Sequence, residues 1–310
     1  MRIRHLLILS ISIITLSFVA CKKDNVKTNG TTDGTDTVTN FTIPTYADDY
    51  SPISSWANRN EWNLANVHDP SVAYYKGYYY MYGTDASYGN VAEGHGHFQG
   101  KRSTDLVNWQ WVGGPFYEAP SWVADSLNAI RSRMGLNPIS KDNIVYGYWA
   151  PVVRRINVGG QDILRMYYCI VIENYIKTGA ANTAANFDGS WSERAFIGMC
   201  ESTDPGGAVW TDKGFVTTSS SDRGLNYSRA SLNDWSAYFY YNAIDPTYIV
   251  TPEGKHYLIH GSWHSGFALL QLDAITGKPL NQLGNPWASS ISDLTSRYGV
   301  RIGTRTASSR

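Results

Sequence analysis

Along most of the chain, apolar and polar residues alternate in short runs separated by turn residues, and the runs recur in related sets. One set opens at Asp69-Pro70, runs through Val72 to Tyr75, turns at Lys76-Gly77 and returns through Tyr78 to Gly83. A second opens at Ala150-Pro151, turns at Val158-Gly159-Gly160 and returns through Leu164 to Ile170. A third opens at Asp245-Pro246, turns at Pro252-Glu253-Gly254 and returns through Tyr257 to Gly261. In each, the residue before proline is driven toward extended backbone, β-formers follow, and glycine reverses the chain, so each set predicts strand, turn, strand. Arg102 to Trp111, Glu201 to Trp210, and Leu269 to Asp273 with Gly277 then supply a third strand, a turn and an outer fourth strand. Four antiparallel strands repeated around an axis are propeller blades. Helical periodicity is confined to Ala119–Met134, where Pro120 starts and Gly135 stops a helix that decorates the blades.

The prolines at 70, 151 and 246 space the blades about 80 to 95 residues apart, so 46–310 holds about three of them. Propellers close with about 4 to 8 blades. A set of three leaves a terminal face that Arg301–Arg310 does not cap, and the expectation is that the chain is the N-terminal portion of a longer protein.

Composition narrows the partners. Of 310 residues, 43% are hydrophobic and 17% charged, with zero net charge, which suits a globular fold and offers no basic field for nucleic acid. The 22 Tyr and 11 Trp supply flat apolar faces with polar edges, useful for sugar grooves and for strand packing alike. Residues 1–20 carry Arg2, Arg4 and His5 before an apolar run from Leu6 to Ala20, the order of a signal peptide. Ending at Ala20-Cys21, this stretch resembles a bacterial lipoprotein signal in which Cys21 becomes the lipidated terminus, although Phe18 departs from the commonest cleavage box. Residues 21–45 are rich in Thr, Asn, Gly and Asp, a flexible tether that cannot form a core. Anchor and tether together predict an exported protein held at the outer membrane or cell surface. Cys169 and Cys200 fall in strands of one repeat, open to a cross-strand disulfide or to service as small buried hydrophobes.

The chemistry lies in the Asp-Pro steps. First strands of blades line the axis, so Asp69 and Asp245 at equivalent positions point into one cavity with Trp149, Trp263 and tyrosines at its rim, an arrangement that fits glycoside hydrolysis. Either Asp taken singly is equally a turn former bonding nearby amides. Val67-His68-Asp69-Pro70-Ser71-Val72, Tyr148-Trp149-Ala150-Pro151-Val152-Val153, Asn242-Ala243-Ile244-Asp245-Pro246-Thr247 and His260-Gly261-Ser262-Trp263-His264-Ser265-Gly266 resemble the signatures of glycoside hydrolase family 43, most closely its endo-1,5-α-L-arabinanases. The resemblance implies an all-β, five-bladed β-propeller, of which this chain supplies about three blades, and hydrolysis of arabinan or arabino-oligosaccharide with inversion. It implies Asp69 as general base, Asp245 as the carboxylate that tunes and orients the acid, and Asn242, Ser262 and Trp263 with Trp149 at the sugar. It requires no cofactor for the chemistry and allows a structural cation on the axis of a full-length propeller. Exo-acting α-L-arabinofuranosidases and β-xylosidases use the same carboxylates, and a non-catalytic sugar-binding propeller is the alternative outside catalysis.

The departure from the family pattern is its general acid, a Glu in a Glu-Gly-Pro type motif of the fourth blade, which this sequence lacks. Glu253 reads as a turn residue, Glu201 as part of an outer hairpin, and Glu61, Glu93, Glu118 and Glu193 as loop residues; Glu173 alone ends an aromatic strand. The acid is expected beyond Arg310. His68 stands beside the base as an orienting or packing residue, His260 and His264 read as framework, and His95 and His97 in their Gly-rich run read as a solvated turn before a metal tract. Trp149 serves equally as sugar platform or as packing between blades.

Overall fold

In a computed structural model the three repeats form three four-stranded antiparallel sheets, each strand hydrogen-bonded to the next. The structure describes residues 67–85, 96–133, 137–172, 194–219, 242–262, 266–281 and 300–303, all within the unit Tyr50–Arg310. Sheet one comprises β1 (His68–Tyr75), β2 (Tyr78–Thr84), β3 (Lys101–Ser103) and β4 (Gln110–Trp111). Sheet two comprises β5 (Tyr146–Val158), β6 (Gln161–Ile172), β7 (Arg194–Asp204) and β8 (Val209–Thr218). Sheet three comprises β9 (Thr247–Val250), β10 (His256–Ser262), β11 (Gly266–Leu272) and β12 (Val300–Gly303). A five-bladed ring is not seen among the described residues.

The first strands stand side by side, β5 packing against β1 and against β9. Sheet two is thereby enclosed, and β6 is buried on both faces from Ile163 onward. One core, with Tyr75, Tyr82, Met166, Tyr168, Phe196 and Cys200, fills the space between sheets one and two. A second, with Tyr167, Cys169, Ile197, Tyr248, Leu258 and Leu270, fills the space between sheets two and three. Tyr167 and Tyr168 show how alternation feeds both: neighbours on one strand, they point into different cores.

Polar side chains join the sheets. The Tyr75 hydroxyl donates to the carbonyls of Asp162 (3.0 Å) and Thr203 (3.2 Å). The buried Arg165 of β6 pairs with Glu201 of β7 at 2.7 Å and donates across to the carbonyls of Ala274 (3.0 Å) and Ile275 (2.7 Å) beyond β11. Lys278 Nζ reaches back to the carbonyls of Lys213, Gly214 and Phe215 in β8. Glu201, expected in an outer hairpin, is thus the counter-ion of a buried arginine.

The repeat extends into the turns. Ser103 Oγ accepts from the amide of Asp105, whose carboxylate accepts from those of Val107 and Asn108; Ser202 Oγ and Asp204 do the same for Asp204 and Gly207. Sheet three departs from expectation. Asp273 accepts from the amides of Ile275 and Thr276, but in the described residues that follow, up to 281, the chain makes only a bridge between Leu272 and Pro279, and the strand paired to β11 on that side is β12. Pro279 has no N–H with which to extend a ladder. The helix α1 (Ser121–Arg133) forms where expected, with Pro120 just before it. Cys169 and Cys200 are free, buried thiols; Cys169 pairs with Ile197 and Cys200 with Met166, so no disulfide joins them.

Candidate active site

Asp69, Ala150 and Asp245 occupy one position of the repeat, and all three adopt left-handed backbone, φ 48°, 39° and 51°. The expectation that each is extended is therefore wrong. In β1 the two residues between His68 and Ser71 lie opposite one on β2, Gly83, and in β5 the two between Trp149 and Val152 lie opposite one on β6, Tyr168, so the Pro step is a β-bulge with one extra residue. Proline cannot donate to the ladder, and placing the extra residue there costs no bond. Left-handed φ in a non-glycine residue costs on the order of 1 to 3 kcal/mol and concentrates at functional positions.

The bulge turns Asp69 out to solvent, and Asp245 is exposed likewise. Thr84, last residue of β2, donates from Oγ1 to Asp69 Oδ2 at 2.5 Å and accepts from the Ala150 amide at 2.7 Å. One residue on, the Asp85 amide donates to the Tyr148 carbonyl at 3.0 Å, while the Asp85 carboxylate takes the Phe98 amide at 2.8 Å and His97 Nδ1 at 2.5 Å. The His97 ring stacks on Tyr148 with centroids 3.6 Å apart. His97 is therefore a fixed, half-buried residue and not part of a solvated turn. Burial pushes the Tyr148 phenol far above its ordinary range, with the charge of Asp85 adding to it.

On the other side, Asp245 follows a buried Asn242-Ala243-Ile244 segment. Asn242 Oδ1 accepts from Ser219 Oγ (2.8 Å), the Ile244 carbonyl accepts from the Gly261 amide (2.9 Å), and Cys169 Sγ donates to the Ala243 carbonyl (3.1 Å). Burial raises the Cys169 thiol well above its usual value, and the charge of Asp245 adds to the rise. The Thr84 bonds on one side, and the Cys169 bond to Ala243 on the other, tie the segments that carry Asp69 and Asp245 to the Trp149-Ala150 part of sheet two.

The other expected residues divide. Trp149 is half-buried and packs against the core between sheets two and three. Asn242 is buried, its side-chain oxygen spent on Ser219, so it supports the Asp245 segment. His260 Nδ1 contacts the Asn242 carbonyl at 3.2 Å and is framework. Trp263, His264, Cys21, Glu61, Glu93, Glu173, Glu193 and His95 lie outside the described residues, as does the side chain of Ser262. Among the described residues Glu201 is committed to Arg165, Glu253 sits in a surface turn, and Glu118 lies 4.0 Å from Lys141 on the exposed rim of a cavity of about 410 Å³ beside Tyr146 and Tyr148. No group of three or more His, Cys, Asp or Glu side chains converges for a cation among the described residues. Thr84 and the Asp85–His97 pair were missed in the sequence; the one signal for Thr84 was its place at the end of the strand that pairs with the Asp-Pro bulge.

Residues 64–298 match the family model for glycosyl hydrolases family 43. An extracellular endo-α-(1→5)-L-arabinanase of Thermotoga petrophila is 26% identical over 223 residues, covering 70% of this chain and 38% of the relative. Extracellular endo-α-(1→5)-L-arabinanase 1 of Bacillus subtilis is 26% identical over 224 residues, covering 72% of this chain and 52% of the relative. This chain thus spans about half or less of the length of those relatives. The solved native Bacillus subtilis arabinanase Arb43A aligns with a TM-score of 0.43 and 23% identity over 70% of this chain and 55% of its own. With a family match across most of its length, the chain belongs to glycosyl hydrolase family 43.

Proposed function

We propose that this protein is part of a five-bladed propeller that hydrolyses α-1,5-linked L-arabinan with inversion, Asp69 acting as general base and Asp245 tuning and orienting the acid. The observation that carries the reading is the pair of exposed, left-handed Asp residues before proline at equivalent places of the first and third repeats. In the proposed step a water attacks the anomeric carbon, its proton passes to an Asp69 oxygen, and the glycosidic C–O bond breaks as its oxygen takes a proton from an acid about 6.5 to 9.5 Å from the base. The names of the arabinanases it resembles support the substrate class, and they support export as well. Cys21 would then carry a lipid anchor; Cys21→Ala should move the protein from membrane to soluble fractions, and unchanged fractionation would remove the anchor.

The test of the reaction is Asp69→Asn in the full-length protein, assayed on linear arabinan and for oligosaccharide binding. An amide keeps the shape and cannot take the proton, so hydrolysis should vanish while binding persists. Turnover at the parent rate would remove Asp69 from the mechanism. A second reading, a sugar-binding propeller without turnover, is favoured by the commitment of Glu201 to a buried arginine; it is met if the full-length parent binds arabino-oligosaccharide and releases no product.

A further inference from the structure

We infer that Thr84 is a positioning residue for Asp69, and that its hydroxyl leaves Oδ1 as the oxygen that takes the proton from water. The inference rests on the reading of Asp69 as base. A hydroxyl carries a single hydrogen. The Ala150 amide can only donate, so at 2.7 Å it occupies a lone pair of Thr84 Oγ1, and the hydroxyl hydrogen is left for Asp69 Oδ2 at 2.5 Å. With Oδ2 accepting that bond, Oδ1 of this exposed residue is the oxygen left for water.

The hydroxyl is itself held firmly. Thr84 pairs with His68, immediately before the bulge. Gly83 lets β2 lie this close, since a Cβ there would stand 2.6 Å from the His68 carbonyl oxygen. Asp85 fixes the far side through the Tyr148 carbonyl, the Phe98 amide and His97. One hydroxyl thus couples the left-handed residue of sheet one to its counterpart in sheet two.

A merely structural tie between sheets is the competing account, and Ser71 supplies the control. Its Oγ accepts from the Val153 amide at 2.9 Å, the same kind of bond between the same sheets, and no carboxylate is attached to it. Thr84→Val, Thr84→Ser, Ser71→Ala and Asp69→Asn are compared in the full-length protein on linear arabinan, with thermal unfolding and a crystal structure of each. Thr84→Val should lower kcat about 10- to 100-fold, the scale of a small misplacement at a reacting group, with KM little changed. Thr84→Ser should restore most of kcat, and Ser71→Ala should lower the Tm and leave kcat at the parent value. If the valine variant does not fold, Thr84→Ala, which admits water to the Ala150 amide, replaces it. Parent kcat in Thr84→Val or Thr84→Ala with Asp69→Asn inactive overturns the positioning role alone, whereas an active Asp69→Asn overturns the base and the inference with it. An equal loss of kcat in Ser71→Ala also overturns it. In the crystals the Asp69 carboxylate should turn in Thr84→Val and not in Thr84→Ser; a carboxylate that keeps its place overturns the inference whatever the turnover.

Discussion

Ala150 shows the cost of the site without its chemistry. It holds the same left-handed conformation as Asp69 and Asp245, φ 39°, yet its methyl cannot serve catalysis, so its geometry is required by the bulge and by the amide it presents to Thr84. Glycine adopts such φ freely, while its greater unfolded-state freedom costs about 0.5 to 1 kcal/mol. Ala150→Gly should therefore be neutral or stabilising by up to about 1 kcal/mol in urea unfolding, the relief of strain offsetting that entropy. A loss of more than about 1 kcal/mol would show that Ala150 is unstrained. The left-handed turn was not legible in the sequence because the steric rule for residues before proline points the other way, and only the ladder on either side reveals the bulge. Thr84 was hidden for a related reason: its partners, Asp69 and Ala150, are 15 and 66 residues away.

At the scale of strands and turns, the sequence was legible wherever pairing is local. Tight glycine turns join β1 to β2, β5 to β6 and β9 to β10, and Ser-x-Asp turns close β3 on β4 and β7 on β8. It failed at the fourth strand of sheet three, where among the described residues the Asp273 to Gly277 turn is followed only by the bridge at Pro279 and the strand paired to β11 is β12. Glu201 lies in the outer β7–β8 hairpin as expected, but its partner was not legible: register places it opposite Arg165, whose side chain has no exposed surface. Removing one member of a buried pair leaves the other uncompensated, at about 3 to 5 kcal/mol. Glu201→Ala should lose about that much in denaturant unfolding, reduced somewhat by the Ala274 and Ile275 carbonyls that still hold the guanidinium. Arg165→Met with Glu201→Leu should recover most of it; a double variant as unstable as the single one would show that the interaction with the third sheet, and not the pair, is what β6 requires.

Across the whole molecule, sheet two is the member that both cores share, and its two thiols are sealed into different ones. Cys200 faces the space toward sheet one and Cys169 the space toward sheet three. Burial raises both thiols well above their usual range, so neither is a ready nucleophile while its core is closed. Alkylation in native buffer can then proceed only as fast as the corresponding gap opens. The third sheet is clamped by Arg165 and Lys278, the first by neutral hydroxyl bonds together with Lys76 at the Thr203 carbonyl. Mass spectrometry of the two cysteine peptides should show Cys200 labelled before Cys169, and equal labelling rates would mean that the sheets part only together. The two sulfurs are in effect a pair of clocks built into one layer, each timing the departure of a different neighbour.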